Sequence, residues 1–150
     1  MTTTAKIPFK DLTKEAATSP RQRVGGYVIL ARLTDKARAD IHGKIGEYHT
    51  DCPLDHMLLD WKGVAYAPVR QALEAGASDE QIAELLNAQG TKKSPEEIKA
   101  WSDEMEKATM HGHPEKGEWF DGECRRVGLD PARSTLFDFL EADDRASYKK

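Results

Sequence analysis

The sequence predicts an all-α protein, a compact single-domain bundle of about seven short helices around a central first helix. Three observations favour this class. Apolar residues recur at helical spacing in several segments, serine or proline begins these segments and glycine ends them, and no segment has the sustained alternation of a strand. The length of 150 residues suits one domain that folds without a disulfide or a structural metal. We expect an irregular N-terminal arm over residues 1–18 and a single helical domain over residues 19–150.

Phe9 and Leu12 are large apolar side chains of the arm that can attach it to the body. Ser19 then resembles an N-cap with proline at the first helical position, so the sequence predicts a helix from residue 20 to about residue 42, ended by Gly43. This prediction places Gly25 and Gly26 in the second turn, where each costs up to ~1 kcal/mol relative to alanine. Close packing against another backbone is the simplest explanation for them.

The second helix begins at Cys52-Pro53, after the loop "GKIGEYHTDC", and ends at Gly63. "YAPVRQALEAG" predicts a short third helix. Capping boxes predict the starts of the next two: Ser78 with Gln81, and Ser94 with Glu97.

Two more helices complete the chain. "HPEKGEWFDGECRRVG" predicts a helix over residues 114–127 that ends at Gly128, and "DPARSTLFDFLEADDRA" supplies the last one. Histidines 111 and 113 fall in the preceding connection, and Trp119 and Phe120 either pack in the core or line a pocket.

Charge and composition exclude several functions. The net charge of −4 and the pI near 5.7 argue against nucleic acid as a partner, because phosphate binding needs a basic surface. Only two cysteines are present, which favours a reducing, cytoplasmic location. The N-terminus lacks the apolar region of a signal peptide, and the apolar run "YVILA" is far shorter than the ~20 residues that span a bilayer.

The first helix carries charges on a face that begins as apolar. Arg32 and Arg38 each lie three residues from Asp35, a spacing that allows a local Arg–Asp–Arg ion-pair network. Alternatively, Arg32, Lys36 and Arg38 form an anion site in which Asp35 orients the cations. Both interpretations remain open on the sequence.

The stretch "GEYHTDCPLDHMLLDWKG" concentrates polar groups at the start of the second helix. Cys52 falls at or beside the N-cap, where the helix dipole favours a thiolate. His56 lies on the same helix face, and His49 approaches from the loop, so the three residues suit a packed helix start, a thiol nucleophile or a metal site. Their spacing matches no standard zinc signature, so no metal is predicted and they are weak metal candidates; a fourth ligand would come from Glu47, Asp51 or Asp55. Leu54, Met57, Leu58 and Trp61 follow at helical spacing and are predicted to be core.

These groups lead to one principal function and two alternatives. We expect a small-molecule binding domain for an anionic ligand, with a polar pocket between the first helix and residues 43–56. The ligand-binding residues would be Arg32, Asp35, Arg38, Glu47 and Asp51, and the catalytic candidates would be Cys52, His49 and His56. The alternatives are a non-catalytic interaction module, in which a homo-oligomer fits, and, more distantly, a metal- or thiol-dependent enzyme. The sequence names no cofactor and predicts neither a membrane nor a nucleic acid as partner.

The motif "SPR…GGY…LAR…DKARA…G…GEYH…CPLD", together with "GASDEQIAELLNAQGTKKSPEEIKAWSDEM" and "TLFDFLEADD", resembles a bacterial family of unknown function, number 5069 among the domains of unknown function. The resemblance covers about residues 11–144. It implies a small, soluble, mostly helical protein without an assigned reaction, and it assigns no role to any residue.

Overall fold

The structure is a computed structural model that describes residues 8–148. Within this range the chain forms seven α-helices and no strand, which confirms the predicted fold class. The helices are α1 Leu30–Ile41, α2 Pro53–Lys62, α3 Tyr66–Glu74, α4 Asp79–Ala88, α5 Pro95–Lys107, α6 Gly117–Arg126 and α7 Leu136–Ser147. None of the helices in the described part of the chain is long and apolar enough to cross a membrane.

The first helix is central, as predicted. It packs against α2, α3 and α4, while α5 packs against α7 and α6 packs on a 3₁₀ turn over Pro131–Arg133. Leu30, Leu33 and Ala37 place the apolar side of α1 in the main core, where their side chains are essentially inaccessible. The core therefore surrounds α1, and the polar residues Arg32, Thr34, Lys36 and Arg38 of α1 are buried with it.

The predicted start of the first helix is wrong by ten residues. The chain from residue 20 to residue 29 forms turns, and Val24 and Tyr27 form an isolated antiparallel bridge. Gly25 and Gly26 have φ angles of +59° and +88°, which glycine adopts without the steric cost of a side chain. A Cβ at Gly25 would lie 2.7 Å from Ala83 Cβ, so the glycines serve a tight turn packed on α4 and not a helix packed on another backbone.

The predicted capping signals are confirmed for the later helices. Ser78 and Ser94 form capping boxes with Gln81 and Glu97. Ser19 caps no helix and instead donates a hydrogen bond to Glu141 Oε2 at 2.7 Å. The sixth helix begins at residue 117, three residues later than predicted, because residues 111–116 form turns.

Residues 8–18 are irregular, and the predicted arm over residues 1–7 lies outside the described residues. Leu12 is buried, and its N–H donates to Lys44 O at 2.9 Å. Phe9 is exposed but stacks on the His42 ring, with 4.1 Å between the centroids. The two apolar side chains therefore hold this segment against the end of α1, as predicted from their apolar character.

Candidate functional site

The charged residues of α1 do not pair with each other. Asp35 accepts hydrogen bonds from the N–H and hydroxyl of Thr18, and its Oδ2 lies 3.6 Å from Lys10 Nζ. Arg38 binds Asp79, with 2.7 Å between Nη1 and Oδ1, and donates to the carbonyl of residue 77 at 3.1 Å. The predicted local Arg–Asp–Arg network is wrong, because each side chain reaches a carboxylate or hydroxyl on another segment.

Arg32 forms a two-pronged ion pair with Asp144 of α7. Nη1 and Nη2 lie 2.8 and 3.0 Å from the two carboxylate oxygens, and Tyr48 Oη donates to Asp144 Oδ1 at 2.7 Å. The guanidinium also lies over the Tyr48 ring, 5.1 Å from its centroid. Burial opposes the charge of Arg32, but the hydrogen bonds to Asp144 outweigh burial and raise the Arg32 pKa. We call these three residues the Arg32–Asp144–Tyr48 cluster.

Two of the predicted polar residues lie at the surface. Glu47 is exposed and lines a cavity of about 410 Å³ beside the ring of Tyr48. Asp51 is exposed and binds His56 Nε2, while Asp60 binds His56 Nδ1 at 2.9 Å. The carboxylates of Asp60 and Asp51 raise the His56 pKa. The His56 ring is thus held by carboxylates on its solvent side, and among the described residues the hydrogen bond between His56 and Cys52 is a backbone one, from His56 N–H to Cys52 O at 3.0 Å.

Cys52 lies at the N-cap of α2, as the sequence predicted, and its partner is a lysine of α1. Lys36 Nζ donates to Cys52 Sγ at 3.2 Å and lies 3.0 Å from Asp55 Oδ1. Lys36 is 3% exposed and Asp55 is 1% exposed, so this is a buried ion pair directly below a half-buried thiol. We call these three residues the Cys52–Lys36–Asp55 cluster.

Above the thiol a cavity of about 560 Å³ opens between the start of α2, α6 and α7. We call it the Cys52 cavity. Its lining includes Cys52 and His49, and the charged side chains of the wall are Lys116, Glu115, Glu123 and Asp143. Most of the wall is apolar and is formed by Leu54, Met57, Met110, Trp119, Phe139 and Leu140.

The wall of this cavity was only partly visible in the sequence. Leu54 and Met57 were predicted to be core, yet they are only half-buried because they face the cavity, whereas Leu58 is fully buried as predicted. Phe120 packs in the core, and Trp119 remains 53% exposed at the cavity with its ring edge-on to Phe139. The pairing of Lys36 with Cys52 had no sequence signal, because a contact between separate helices leaves no spacing pattern.

The histidines do not assemble a metal centre with Cys52. His111 binds Asp121 at 2.9 Å, and His113 Nδ1 accepts backbone N–H groups of residues 115 and 116. Within residues 8–148, no group of three histidine, cysteine, aspartate or glutamate side chains is arranged to hold a metal ion. The weak candidates His49, Cys52 and His56 therefore do not form a metal cluster in the described structure.

The family comparison agrees with the resemblance in the motifs. No curated protein matches the chain. A family model described as a domain of unknown function, DUF5069, matches residues 14–146. That match covers the central helix, the turn with two glycines, both charged clusters and the Cys52 cavity, and on this basis the chain belongs to the DUF5069 family.

Proposed function

We propose that this protein binds a small, mostly apolar molecule in the Cys52 cavity. The observation that carries the proposal is the cavity itself: about 560 Å³ of space with a mainly apolar wall and a few polar and charged side chains. Binding sites for small molecules have this size and this division between an apolar wall and a few placed polar groups. The half-exposed indole of Trp119 supports the same assignment, because a ligand would cover it.

The polar end of the ligand would be an oxygen that accepts hydrogen bonds, in a carbonyl or a carboxylate group. That end would lie near Cys52 and His49, beside the N-terminus of α2, whose dipole favours negative charge. Two acidic residues of the wall, Glu123 and Asp143, are already bound to Arg126. The anionic ligand predicted from the sequence fits this end better than it fits Arg32 or Arg38, whose charges are matched by carboxylates.

Displacement of a fluorescent probe tests the proposal. We expect N-phenyl-1-naphthylamine to bind with increased fluorescence and to be displaced by octanol and octanoate, which share one alkyl chain. Octylamine should displace it less well, because its ammonium would meet the positive end of α2. Absence of probe binding would count against the whole proposal.

A cavity-filling variant provides the structural control. Leu140→Trp adds an indole inside the cavity and should weaken probe binding by about ten-fold or more, the equivalent of about 1.4 kcal/mol. Leu85→Trp makes the same change at a half-buried leucine of α4, outside the cavity, and should leave binding unchanged. Equal binding by both variants would place the probe elsewhere.

The alternative is an interaction module in which a second copy covers the same wall. The 53% exposure of Trp119 favours this second candidate, because large exposed aromatic side chains are enriched at interfaces. Sedimentation of the wild type and of Trp119→Ser distinguishes the two. A dimer that the substitution converts to a monomer supports the interaction module, whereas two monomers support the small-molecule site.

A further inference from the structure

We propose that Cys52 is a nucleophilic thiol that forms a thioether with an α,β-unsaturated carbonyl compound held in the Cys52 cavity. This inference rests on the proposed small-molecule site and names the class of ligand it would accept. The apolar wall would hold the tail of the compound, and its carbonyl oxygen would lie beside the thiol.

The sulfur of Cys52 contacts a charge that water reaches poorly. Lys36 Nζ donates to Sγ at 3.2 Å, and the lysine side chain is 4% exposed. In such a weakly screened site an ammonium stabilises a nearby anion more strongly than it would at the surface. The N-terminus of α2 acts in the same direction, so the reactive thiolate form has two sources of stabilisation.

Asp55 holds the lysine beside the thiol. Its carboxylate is almost fully buried, and Oδ1 faces Lys36 Nζ without the alignment of a hydrogen bond, in the same way as Asp79 Oδ1 faces Arg38. The two residues are therefore held together by charge, and within the described residues the Lys36 ammonium donates its hydrogen bond to Cys52 Sγ. Asp55 and Lys36 are positioning residues, since neither lines the cavity.

The two cysteines differ in access. Cys52 is half-buried and lines the cavity, whereas Cys124 is fully buried, and burial raises the pKa of its thiol. Cys124 is thus an internal reference for an unreactive thiol. It also allows a clean background, because Cys124→Ala leaves Cys52 as the only thiol of the 150-residue chain.

The chemistry is an addition that needs no oxidant. The Cys52 thiol releases its proton to solvent, and the sulfur lone pair forms a C–S bond to the β-carbon. The π electrons of the C=C bond move toward the carbonyl oxygen and give an enolate. A solvent proton then binds the α-carbon, so sulfur and hydrogen add across the double bond and no group leaves.

The first experiment measures adduct formation in Cys124→Ala by intact mass. We expect trans-2-nonenal, at neutral pH, to add one equivalent and to react at least about ten-fold faster than with glutathione, a difference of about 1.4 kcal/mol in activation free energy. Cys52→Ser in the same background should take up none. A rate equal to that of glutathione would overturn the inference.

The second experiment tests the role of Lys36. The paired variant Lys36→Met/Asp55→Asn removes both buried charges together, which avoids leaving one of them unpaired. We expect it to react with iodoacetamide about ten-fold more slowly, while still binding the fluorescent probe as tightly as Cys124→Ala does. A purely structural role would change probe binding and reactivity together, so an unchanged rate, or an equal loss of both, contradicts the assignment.

The two proposals fail in distinguishable ways. If the probe binds and is displaced by octanoate but Cys52 reacts slowly, the cavity site stands and the nucleophile is refuted. In the opposite case, Cys52 reacts rapidly with iodoacetamide, but no probe binds and nonenal reacts no faster than a short enal such as acrolein. The thiol is then reactive, but the cavity does not select an apolar substrate. That result refutes both the substrate class and the proposed function.

Discussion

Two buried ion pairs extend from α1, one helical turn apart, and they differ in how completely they are satisfied. In the Arg32–Asp144–Tyr48 cluster, Oδ1 accepts from both Arg32 and Tyr48, Oδ2 accepts from Arg32, and Arg32 Nη1 also donates to Thr18 O at 3.3 Å. In the Cys52–Lys36–Asp55 cluster, the lysine is shared between one oxygen and one sulfur.

The comparison separates a charged cluster that only stabilises the fold from one whose charge can also act on a ligand. A bidentate guanidinium–carboxylate pair with a tyrosine hydroxyl has fixed geometry and leaves no oxygen for a ligand. A lysine is a flexible point charge, and here it lies against a soft nucleophile that lines a cavity. The first cluster fastens α7 to α1, and the second is where we expect chemistry.

Of these substitutions, Arg32→Met should cause the largest loss in the free energy of unfolding. It leaves Asp144 buried without its cation and should cost about 3–5 kcal/mol in the free energy of unfolding. Urea denaturation measures the loss, and Arg133→Met is the matched control, since Arg133 is 88% exposed and should change stability little. A loss below about 1 kcal/mol, the range of exposed pairs, would show that the cluster is not structural.

Lys36→Met sharpens the comparison. The single variant should lose about 3 kcal/mol in the free energy of unfolding, because Asp55 is left as an uncompensated buried charge. Adding Asp55→Asn should restore most of the stability, because Lys36 and Asp55 depend mainly on each other. The equivalent addition of Asp144→Asn to Arg32→Met should restore less, because Thr18 O also loses its donor. Equal recovery in both pairs, measured by urea denaturation, would remove the distinction between the clusters.

Tyr48→Phe tests the hydrogen bond that completes the first cluster. The variant keeps the ring over Arg32 but removes the hydroxyl bound to Asp144 and to the N–H of Ala17, at a cost of about 1–1.5 kcal/mol. Burial and the hydrogen bond to Asp144 raise the Tyr48 pKa above its ordinary value of 10.0. The stability from this raised pKa is present below pH 10 and is lost as the pH rises through the folded pKa. Wild type should therefore lose more stability than the variant in alkaline urea titrations; parallel curves would contradict this prediction.

The sequence predicted local features well because they depend on neighbouring residues. Ser78 and Ser94 cap their helices through partners three residues away, and Cys52 was correctly placed at the start of α2. The error at Gly25 and Gly26 arose because the positive φ angles that they adopt and the nearness of Ala83 to Gly25 depend on how the chain packs in three dimensions. The same limit explains the wrong ion pairs: Arg32 and its actual partner lie 112 residues apart.

The structure brings together only some of the residues that the sequence offered as a site. Cys52 and His49, from the loop before α2 and its first residues, line one cavity. The residues expected to join them, Arg32 and Arg38, project from the same helix but bind other segments. Helical periodicity identifies a face but not the element that packs on it, so it could not show that Lys36 would reach the thiol.

His56→Gln should cause the smallest loss in the free energy of unfolding, because it removes exposed ion pairs and not a buried one. His56 is bound by Asp60 and Asp51, but its side chain is 36% exposed, so solvent screening limits the pair to a few tenths of a kcal/mol. The carboxylates raise the His56 pKa above 6.5, so the added stability is fully present below pH 6.5 and is lost as the pH rises through the folded pKa. Urea midpoints of wild type and variant should thus differ slightly in mild acid and converge at alkaline pH. A loss of stability as large as that of Lys36→Met would mean that solvent exposure does not determine how much an ion pair contributes to stability in this protein.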